Sequence, residues 1–324
     1  MLKLAWAPAA VILALSLAVP AASGAAPAAG AACGRSCLYG VLDAYLAALK
    51  AKDASRAPWA RQVRDSENNV ALKVGDGLWG TIAGLGDYDL RFADPKTGGV
   101  GFYGVVREGE TDSPFGVRLK VHSGKITEVE TVVSRPQDAG VPFVSARLVD
   151  KPMFHDILAR ADRSSRARMI AIADGYFSTL QQNDGTLHAR FDDACNRFEN
   201  GYQTTNNPEG AGLYGANMAL GCAAQFRTGN YRYDDRLRSR RYMLVDEERG
   251  LVMTAAFIDH SGRLGEYKLT DGSTVTSNYR RPHSFCLLET FKIKDGKIQQ
   301  VMSVFTSVPY RMPSPWVGGG FHYE

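Results

Sequence analysis

The chain has 324 residues, of which 45% are hydrophobic, enough for one large domain or two ordinary domains with cores of their own. Its 38 basic and 34 acidic residues leave a net charge of only +4, so no strong field favours binding to nucleic acid or to an anionic membrane. The same composition excludes disorder as a description of the whole chain.

Residues 1–24 have the features of a secretory signal peptide. A single cation, Lys3, precedes an apolar run from Ala9 to Val19, and small residues follow up to Gly24. The apolar run is too short to span a membrane, and no other stretch approaches the roughly 18 to 20 apolar residues that spanning requires. We therefore expect a secreted or periplasmic protein with a cleaved signal peptide and no membrane partner.

The chain contains five cysteines, Cys33, Cys37, Cys195, Cys222 and Cys286. In an oxidising compartment an odd number leaves at least one thiol free or paired elsewhere. We expect Cys195 to bridge Cys222, and a bridge between Cys33 and Cys37 stays open because sequence does not fix connectivity. The cysteines lack the close pairs or neighbouring histidines of a zinc site, so no metal is expected.

The sequence repeats itself. The phrase "YLAALKAKD", which begins at Tyr45, is matched by "YFSTLQQND", which begins at Tyr176, 131 positions later. Glu67 and Glu199 are 132 positions apart, so the register holds through a connector and into a strand. Apolar residues recur at helical spacing in both phrases, which predicts that each copy opens with an amphipathic helix.

A second pair of similar segments lies further along the chain. Residues 115–133 and 285–305 each read as strand, tight glycine turn and strand. Each half therefore predicts a helix, a short helix and a meander of antiparallel strands, which is an α+β arrangement repeated twice. The second copy carries about 40 extra residues, which we place in loops at 201–225 and 261–284.

These patterns predict a first domain at 33–135, a linker at 136–164, a second domain at 165–308 and an aromatic tail rich in proline and glycine at 309–324. The tail has three open roles: to cover the edge of a core, to close a pocket, or to reach the partner subunit of a homodimer. Its Trp316 is a candidate for contact with a bound small molecule.

Helices followed by a curved antiparallel sheet, opening on "YLAALKAKD", resemble the nuclear transport factor 2-like (SnoaL-like) superfamily, and the phrase is especially similar to the first helix of ketosteroid isomerases. The resemblance implies two tandem cone-shaped α+β barrel domains, each with N-terminal helices packed in a curved antiparallel sheet around an apolar cavity. The superfamily includes isomerases, dehydratases, cyclases, epoxide hydrolases and proteins without catalytic activity. "DSENNVALKVGDGLWGT" and "VPYRMPSPW" also resemble a poorly characterised family of secreted fungal and bacterial proteins.

The resemblance implies roles for particular residues. Tyr45 and Tyr176 match the isomerase tyrosine that donates a hydrogen bond to a developing oxyanion; the alternative is a core aromatic residue whose hydroxyl binds a carbonyl. The catalytic carboxylate of the isomerases falls where this chain has Glu199 and Asn200. Because neighbouring strand residues face opposite sides, an inward Asn200 would turn Glu199 outward and remove the base.

The second copy is richer in ionisable groups. In "RLRSRRYMLVDEERG", strict alternation places Arg240 and Tyr242 on one face and Arg241 on the other, so an arginine is expected in the cavity whichever face is inward. Such a guanidinium would orient a carboxylate, phenolate or hydroxyl of a ligand. A purely structural ion pair with Asp192 or Glu199 is the alternative.

Histidine is the side chain best suited to proton transfer near neutral pH. Asp259 and His260 face opposite ways on a strand, so one of them lines the pocket. His188, with Asp192 four residues later, fits either an acid/base cluster or a surface pair on a second helix. His283 precedes a strand and His260 ends another, which predicts that both lie at the mouth of the cavity.

No nucleophile elbow, phosphate loop, dinucleotide fingerprint or zinc-binding helix is present, so no cofactor is expected. The sequence favours a cofactor-independent lyase or isomerase that performs a dehydration, a double-bond shift or a retro-aldol reaction on a small, apolar, aromatic hydroxylated compound. Acid/base groups of the second copy would act there, assisted by Tyr176 and by Arg240 or Arg241. The alternative is a non-catalytic ligand-binding or scaffold protein of the same fold.

Overall fold

Two large curved sheets, each carrying one long helix, form the body of the structure. This computed structural model describes residue 1 and residues 33–318. The signal peptide predicted for residues 1–24 lies outside the described residues, apart from Met1. Every described residue from Cys33 onward belongs to one compact unit.

The first half begins with a helix because its apolar residues recur every three or four positions and pack on the sheet. Leu38, Leu42, Tyr45 and Leu49 of this helix are all buried. The helices and strands of this half are α1 (Arg35–Lys50), β1 (Trp59–Glu67), β2 (Val70–Leu72), α2 (Leu78–Thr81), β3 (Ile82–Leu85), β4 (Leu90–Asp94), β5 (Gly99–Glu108), β6 (Thr111–His122) and β7 (Lys125–Val133).

The second half also begins with a long helix, which has clear signals at both ends. The Ser165 hydroxyl caps its start by accepting a hydrogen bond from the Arg168 amide, and Asn183, at φ 40°, ends it in the left-handed conformation. The helices and strands of this half are α3 (Arg166–Gln182), β8 (Phe191–Glu199), β9 (Tyr202–Gln203), α4 (Pro208–Tyr214), α5 (Cys222–Arg227), β10 (Arg236–Asp246), β11 (Leu251–His260), β12 (Glu266–Lys268), β13 (Thr274–Thr276), β14 (His283–Lys294) and β15 (Lys297–Val308).

The two large sheets have the same strand order. The first runs β2-β1-β7-β6-β5-β3, with β4 also paired to β5, and the second runs β9-β8-β15-β14-β11-β10. In the first sheet β1 is parallel to β7, and in the second β8 is parallel to β15; the other strand pairs are antiparallel. The predicted α+β class is confirmed at this level.

The sheets are joined through a core of their own. Phe92 and Tyr103 of the first sheet pack with Leu244, Met253 and Leu288 of the second, and the hydroxyls of Tyr103 and Thr290 lie 3.0 Å apart across this core. Each sheet thus uses one face for its helix and the other face for its neighbour.

Ion pairs reinforce the contact between the halves. Arg35 of α1 donates to Asp246 of β10 with an N–O distance of 2.9 Å, and Arg166 of α3 donates to Asp94 of β4 at 2.6 Å. Asp94 and Asp246 are almost fully buried. The two halves are therefore tied together by paired charges as well as by apolar packing.

Residues 136–164, predicted as a linker, pack over the second sheet. Phe154 is fully buried, and the Leu158 amide donates to the Glu248 carbonyl at 2.8 Å. The ring of Phe143 meets that of Phe305 edge to face at 6.1 Å. This segment is therefore part of the wall around the second sheet.

The cysteines form two disulfides, Cys33–Cys37 and the predicted Cys195–Cys222. Cys286 keeps a free thiol on the buried face of β14, where burial raises its pKa to about 12. Among the described residues, no helix combines the length and the apolarity needed to cross a membrane.

Two helical glycines offer a test of how tightly α3 is packed. A Cβ atom at Gly175 of α3 would lie 2.3 Å from the His188 carbonyl oxygen, whereas one at Gly40 of α1 would meet nothing within 4 Å. We expect Gly175→Ala to lower the free energy of unfolding by about 1–3 kcal/mol through this clash. Gly40→Ala, the control, should raise it by about 0.5–1 kcal/mol. Urea denaturation measures both, and equal effects would contradict the packing described here.

Candidate active site

A cavity of about 1220 Å³ lies inside the second sheet, beside α3. Its inner wall is built by strand alternation, since every second residue of a strand faces the same side. His283, Phe285, Leu287 and Glu289 of β14 line the cavity, whereas Cys286 between them belongs to the core shared by the two sheets. The sequence of β14 therefore supplies both an apolar wall and two ionisable groups.

The rim of the cavity comes from segments outside the sheet. Residues 139–143 of the linker form one side, and residues 213, 215–218 and 220, at and after the end of α4, form another. The segment before β14, with Arg280 and Arg281, completes the mouth. The long insertions of the second half thus lie where they control access to the cavity.

A buried guanidinium organises the polar floor. Arg197 of β8 is 3% exposed; it donates to a Glu199 carboxylate oxygen at 2.6 Å, to Gln225 Oε1 at 2.9 Å and to the Tyr231 hydroxyl at 2.9 Å. Its guanidinium also lies 5.2 Å from the ring centroid of Phe226. The positive charge is therefore matched by one carboxylate and held between aromatic rings.

Glu289 and Tyr176 form a second pair of polar groups on the floor. The Tyr176 hydroxyl donates to Glu289 Oε1 at 3.3 Å, and both residues are buried. Burial, together with the nearby charge of Glu199, raises the pKa of Glu289 to about 8, although Arg197 opposes the shift. Burial also raises the pKa of Tyr176 well above its usual value. At neutral pH both groups therefore keep their protons and are potential proton donors.

His260 and Asp234 form a dyad on the cavity wall. His260 Nε2 lies 2.8 Å from Asp234 Oδ1, and the two residues are 1% and 5% exposed. Burial raises the pKa of Asp234, while the hydrogen bond to His260 and the charges of His260 and Arg197 oppose that rise. A carboxylate that orients an imidazole is the arrangement used to position a general base.

The ring of His283 stacks on that of His260, with centroids 4.5 Å apart and an 8° angle between the planes. Burial lowers the pKa of His283, as does its proximity to His260, so it is neutral at pH 7. Its Nδ1 contacts the Arg281 carbonyl at 2.9 Å. Within residues 33–318, His260 Nδ1 and His283 Nε2 have no hydrogen-bond partner. Each ring therefore keeps one nitrogen for proton transfer.

The matching interior of the first sheet is filled. Asp65 pairs with Val129 of β7 as Arg197 pairs with Val301 of β15, so Asp65 takes the place of the arginine. The ring of Trp79 packs edge to face on Tyr45 at 5.6 Å, and Trp59 packs on Tyr45 at 6.1 Å. Tyr45, predicted to bind substrate, is therefore part of a packed core.

Four of the predicted site residues line the cavity of the second sheet together: Tyr176, Glu199, His260 and His283. Asp259 faces away from the cavity. Strand alternation lets only one of Asp259 and His260 face it, and His260 does. It accepts from Arg238 Nε at 2.9 Å and from the Ser284 hydroxyl at 2.6 Å. Its predicted catalytic role is therefore wrong, because both carboxylate oxygens serve the core between the sheets.

The prediction of an arginine from β10 in the cavity is wrong. Arg240 and Tyr242 share one side of β10 and Arg241 faces the other, as alternation predicts. A bulge with Ser239 at φ 53° inserts one residue and puts Arg238 on the side of Arg241. Arg240 donates to Asp174 of α3 at 2.9 Å, on the outer side of that helix. Arg241 instead pairs with Glu130 of the first sheet.

Other predicted site residues also lie elsewhere. The Tyr242 hydroxyl donates to Asp174, beside Arg240. Residues 183–190 form no helix, so His188 is exposed on a loop, where its Nε2 lies 2.9 Å from Gln182 Oε1. Asp192 is the second residue of β8 and accepts from the Ala194 amide at 3.1 Å. The helical pairing of His188 with Asp192 therefore does not exist.

Asn200 and Trp316 have structural roles. Asn200 adopts φ 48°, and its Oδ1 accepts from the Phe305 amide at 2.8 Å, which ends β8 against β15. Trp316 lies on the first sheet, where its Nε1 donates to the Ser66 hydroxyl at 3.0 Å and Arg118 lies 4.8 Å from its ring centroid. Described residues of the tail therefore cover the first sheet.

Sequence reasoning missed Arg197, Asp234 and Glu289. A signal existed for Glu289, because it is a single carboxylate in the apolar run "FCLLETF" and shares the inward face of the strand with His283, six residues earlier. Arg197 shares its strand face with Glu199, two residues later. Asp234 lies in a loop after α5, and no pattern in the sequence predicts its contact with His260.

Among the described residues, no group of three or more histidine, cysteine, aspartate or glutamate side chains is placed to hold a metal ion. The polar groups of the cavity are instead paired with one another. Their arrangement places two imidazoles and two protonated acids, Glu289 and Tyr176, in one cavity.

Replacement of Glu289 tests its protonation. Its ordinary pKa is 4.5 and its pKa in the fold is about 8, so the native state retains a proton that the unfolded chain releases. The stability that this proton contributes is complete below pH 4.5 and is lost as the pH rises through 8. We expect the wild type to lose stability relative to Glu289→Gln across that window, by up to about 1.4 kcal/mol per pH unit.

Denaturant unfolding measured from pH 4 to pH 9 would show this divergence. Glu110→Gln, which removes an exposed carboxylate, is the control for a change in surface charge. Parallel stability curves for the wild type and Glu289→Gln would contradict the protonated state of Glu289.

Replacing each of two arginines of the second half compares the contribution of a buried ion pair to stability with that of a peripheral one. Arg197→Ala leaves Glu199 and Gln225 without their partner in the cavity floor, so we expect it to destabilise the protein by about 3–5 kcal/mol. Arg240→Ala is the matched control, because its partner Asp174 is 48% exposed, and should cost about 1 kcal/mol or less. Thermal unfolding compares them, and similar losses would show that the floor does not depend on Arg197.

Comparison with known proteins gives a family of unknown function. Residues 162–305 match the family model described as "Domain of unknown function (DUF8021)". This segment contains α3, the cavity strands and the dyad. No curated protein sequence matches the chain.

Among solved structures, a protein of unknown function with a cystatin-like fold from Methylobium petroleophilum PM1 is 12% identical, with a TM-score of 0.28, over 35% of this chain and 86% of its own. A ketosteroid isomerase-like protein from Kribbella flavida DSM 17836 is 15% identical, with a TM-score of 0.27, over 40% of this chain and 97% of its own. A de novo designed protein with a curved β-sheet is 16% identical, with a TM-score of 0.27, over 31% of this chain and 88% of its own. At these scores none of the three assigns a function to this chain.

Proposed function

We propose that the second sheet encloses the active site of an exported, cofactor-independent lyase or isomerase that acts on a small, largely apolar, hydroxylated aromatic compound. The observation that carries the proposal is the presence in one cavity of two imidazoles with free nitrogens, one of them held by Asp234, and the protonated pair of Glu289 and Tyr176. Groups whose surroundings separate their protonation states are suited to act as base and acid in one reaction.

In a dehydration, an imidazole nitrogen of His260 or His283 takes a proton from a carbon of the substrate. The electrons of the broken C–H bond form the double bond as the neighbouring C–O bond breaks, and Glu289 donates its proton so that the hydroxyl leaves as water. Asp234 stabilises the imidazolium that forms at His260. The imidazolium then returns a proton to Glu289 through solvent, so no oxidant, reductant or cofactor is consumed.

A double-bond shift uses the same groups differently. Glu289 and Tyr176 donate hydrogen bonds to a carbonyl oxygen while the base moves a proton between two carbons, and these hydrogen bonds strengthen as negative charge develops on the oxygen. The donors are already in place inside a shielded floor, which increases their effect.

The walls favour an aromatic body for the ligand. Tyr233 and Tyr279 lie with ring centroids 4.8 Å apart, and Phe285 and Phe305 are 4.7 Å apart, all of them lining the cavity. Flat apolar molecules gain stacking and burial in such an enclosure.

The fold supports the same proposal. The shared strand order of the two sheets agrees with tandem nuclear transport factor 2-like units at 33–135 and 165–308, the second hollow and the first filled. The two disulfides agree with export to an oxidising compartment.

The proposed activity is tested by incubating the purified protein, without cofactor, with a panel of hydroxylated aromatic alcohols, diols and ketones, and by analysing products by mass spectrometry. For a compound that turns over, we expect His260→Ala and Glu289→Gln each to lower kcat by about 10²–10⁴-fold, because each removes a proton-transfer group. Asp234→Asn should lower kcat and shift the acidic limb of the pH profile, since it changes the partner of the imidazole base.

His188→Ala is the matched control, because His188 is an exposed histidine of the same half, and it should retain wild-type kcat. Equal activity of His260→Ala and His188→Ala would overturn the assignment of the dyad. Binding of panel members without any turnover would instead favour a non-catalytic ligand-binding protein.

A further inference from the structure

The charges that line the cavity do not cancel. Its three acids are Glu199, Asp234 and Glu289. Glu199 is paired with Arg197, and Asp234 with His260. Glu289 keeps its proton at neutral pH. Even if His260 is neutral and Asp234 is ionised, the two rim arginines, Arg280 and Arg281, leave the cavity with an excess of positive charge.

The hydrogen-bond partner of Arg280 is a neutral group, which does not balance the positive charge of its guanidinium. Its guanidinium donates to the Leu264 carbonyl at 2.9 Å, which is a neutral acceptor. This contact holds the side chain beside the segment that leads into β12. Four further N–H groups of a guanidinium remain to bind a ligand.

Arg281 is held through its backbone while its side chain stays available. A Cβ atom at Gly262, which has φ 71°, would lie 2.7 Å from the Arg281 amide nitrogen. The backbone segments around Gly262 and Arg281 therefore pack closely. The Arg281 carbonyl is bound by His283 Nδ1. Arg281 is one of the residues that line the cavity. Among the described residues, no acid forms an ion pair with its guanidinium.

The rim arginine Arg281 lies close enough to the candidate base His283 to affect its pKa. Arg281 lies two residues before His283, and its charge contributes to lowering the pKa of that histidine. A negative group bound at Arg281 would lie at the mouth, with the rest of the molecule extending between the aromatic walls toward the floor.

We propose that the ligand of this cavity carries a carboxylate, which Arg281 and Arg280 bind at the rim while its aromatic body occupies the cavity. The inference rests on the proposed function only in taking the cavity as a binding site. It narrows the ligand class from hydroxylated aromatic compounds to hydroxylated aromatic acids. The planar guanidinium suits the geometry of a carboxylate, to which it donates two parallel hydrogen bonds.

Titration calorimetry with matched probes tests the proposal. 2-Naphthoate and 2-naphthamide share a ring system and differ in charge, and 2-naphthyl phosphate supplies a dianionic head group. The wild type should bind 2-naphthoate at least about tenfold more tightly than the amide, the discrimination expected from a charge-assisted bidentate contact. The double variant Arg280→Ala/Arg281→Ala should bind the two with similar affinity.

Arg263→Ala is the matched control, because it removes an exposed arginine of a nearby loop that does not line the cavity. It should preserve the tenfold preference. An equal loss of preference in Arg263→Ala would reduce the effect to general electrostatics and overturn the site. Tighter binding of 2-naphthyl phosphate than of 2-naphthoate would overturn the carboxylate assignment.

The two proposals fail separately. Turnover of neutral compounds together with equal binding of acid and amide would overturn the carboxylate inference and leave the enzyme in place. A preference for 2-naphthoate that depends on Arg280 and Arg281, without turnover of any hydroxylated aromatic acid, would support the rim site and count against catalysis. Failure of both naphthalene probes to bind would overturn the rim site.

Discussion

The ion pair between Arg197 and Glu199 determines the character of the second sheet's interior. The two residues are separated by one position on β8, so both face inward, and their charges compensate each other inside the fold. Arg197 also donates to Gln225 of α5. The disulfide from Cys195 to Cys222 fixes the start of α5 to the same strand, so the covalent bridge and the hydrogen bond place this helix against the floor.

The charges of this pair act on the neighbouring acids. Glu289 is buried close to the charge of Glu199, which favours its neutral form, and Tyr176 shares its environment. Asp234 is also buried, but it has the His260 ring as its partner. One cavity thus combines a protonated carboxyl group with imidazole bases, and this separation arises from burial and from the distribution of partners.

The two halves use the same frame for different interiors. In the first half, Asp65 replaces Arg197 at the matching register, and Trp79 packs on Tyr45 and fills the space beside it. Glu67, the counterpart of Glu199, accepts hydrogen bonds from the Leu78 amide and from Arg135, both at distances of 2.8 Å or less. The interior of the first sheet is therefore packed with side chains. Its other face contacts the second sheet through the shared apolar core.

The sequence by itself determined the helices that open each half, the closing hairpins and the α+β class, because helical spacing, strand alternation and turn glycines are local properties of the chain. Tyr176, His260 and His283, which the sequence named as candidates, line the cavity, and the expected Cys195–Cys222 bridge is present. The bulge at Ser239 was beyond such reasoning, and its one inserted residue puts Arg238 on the same side of β10 as Arg241. The contact of Asp234 with His260, across 26 positions, was decided only by the tertiary structure, because it depends on how α5 and the following loop fold back over the sheet.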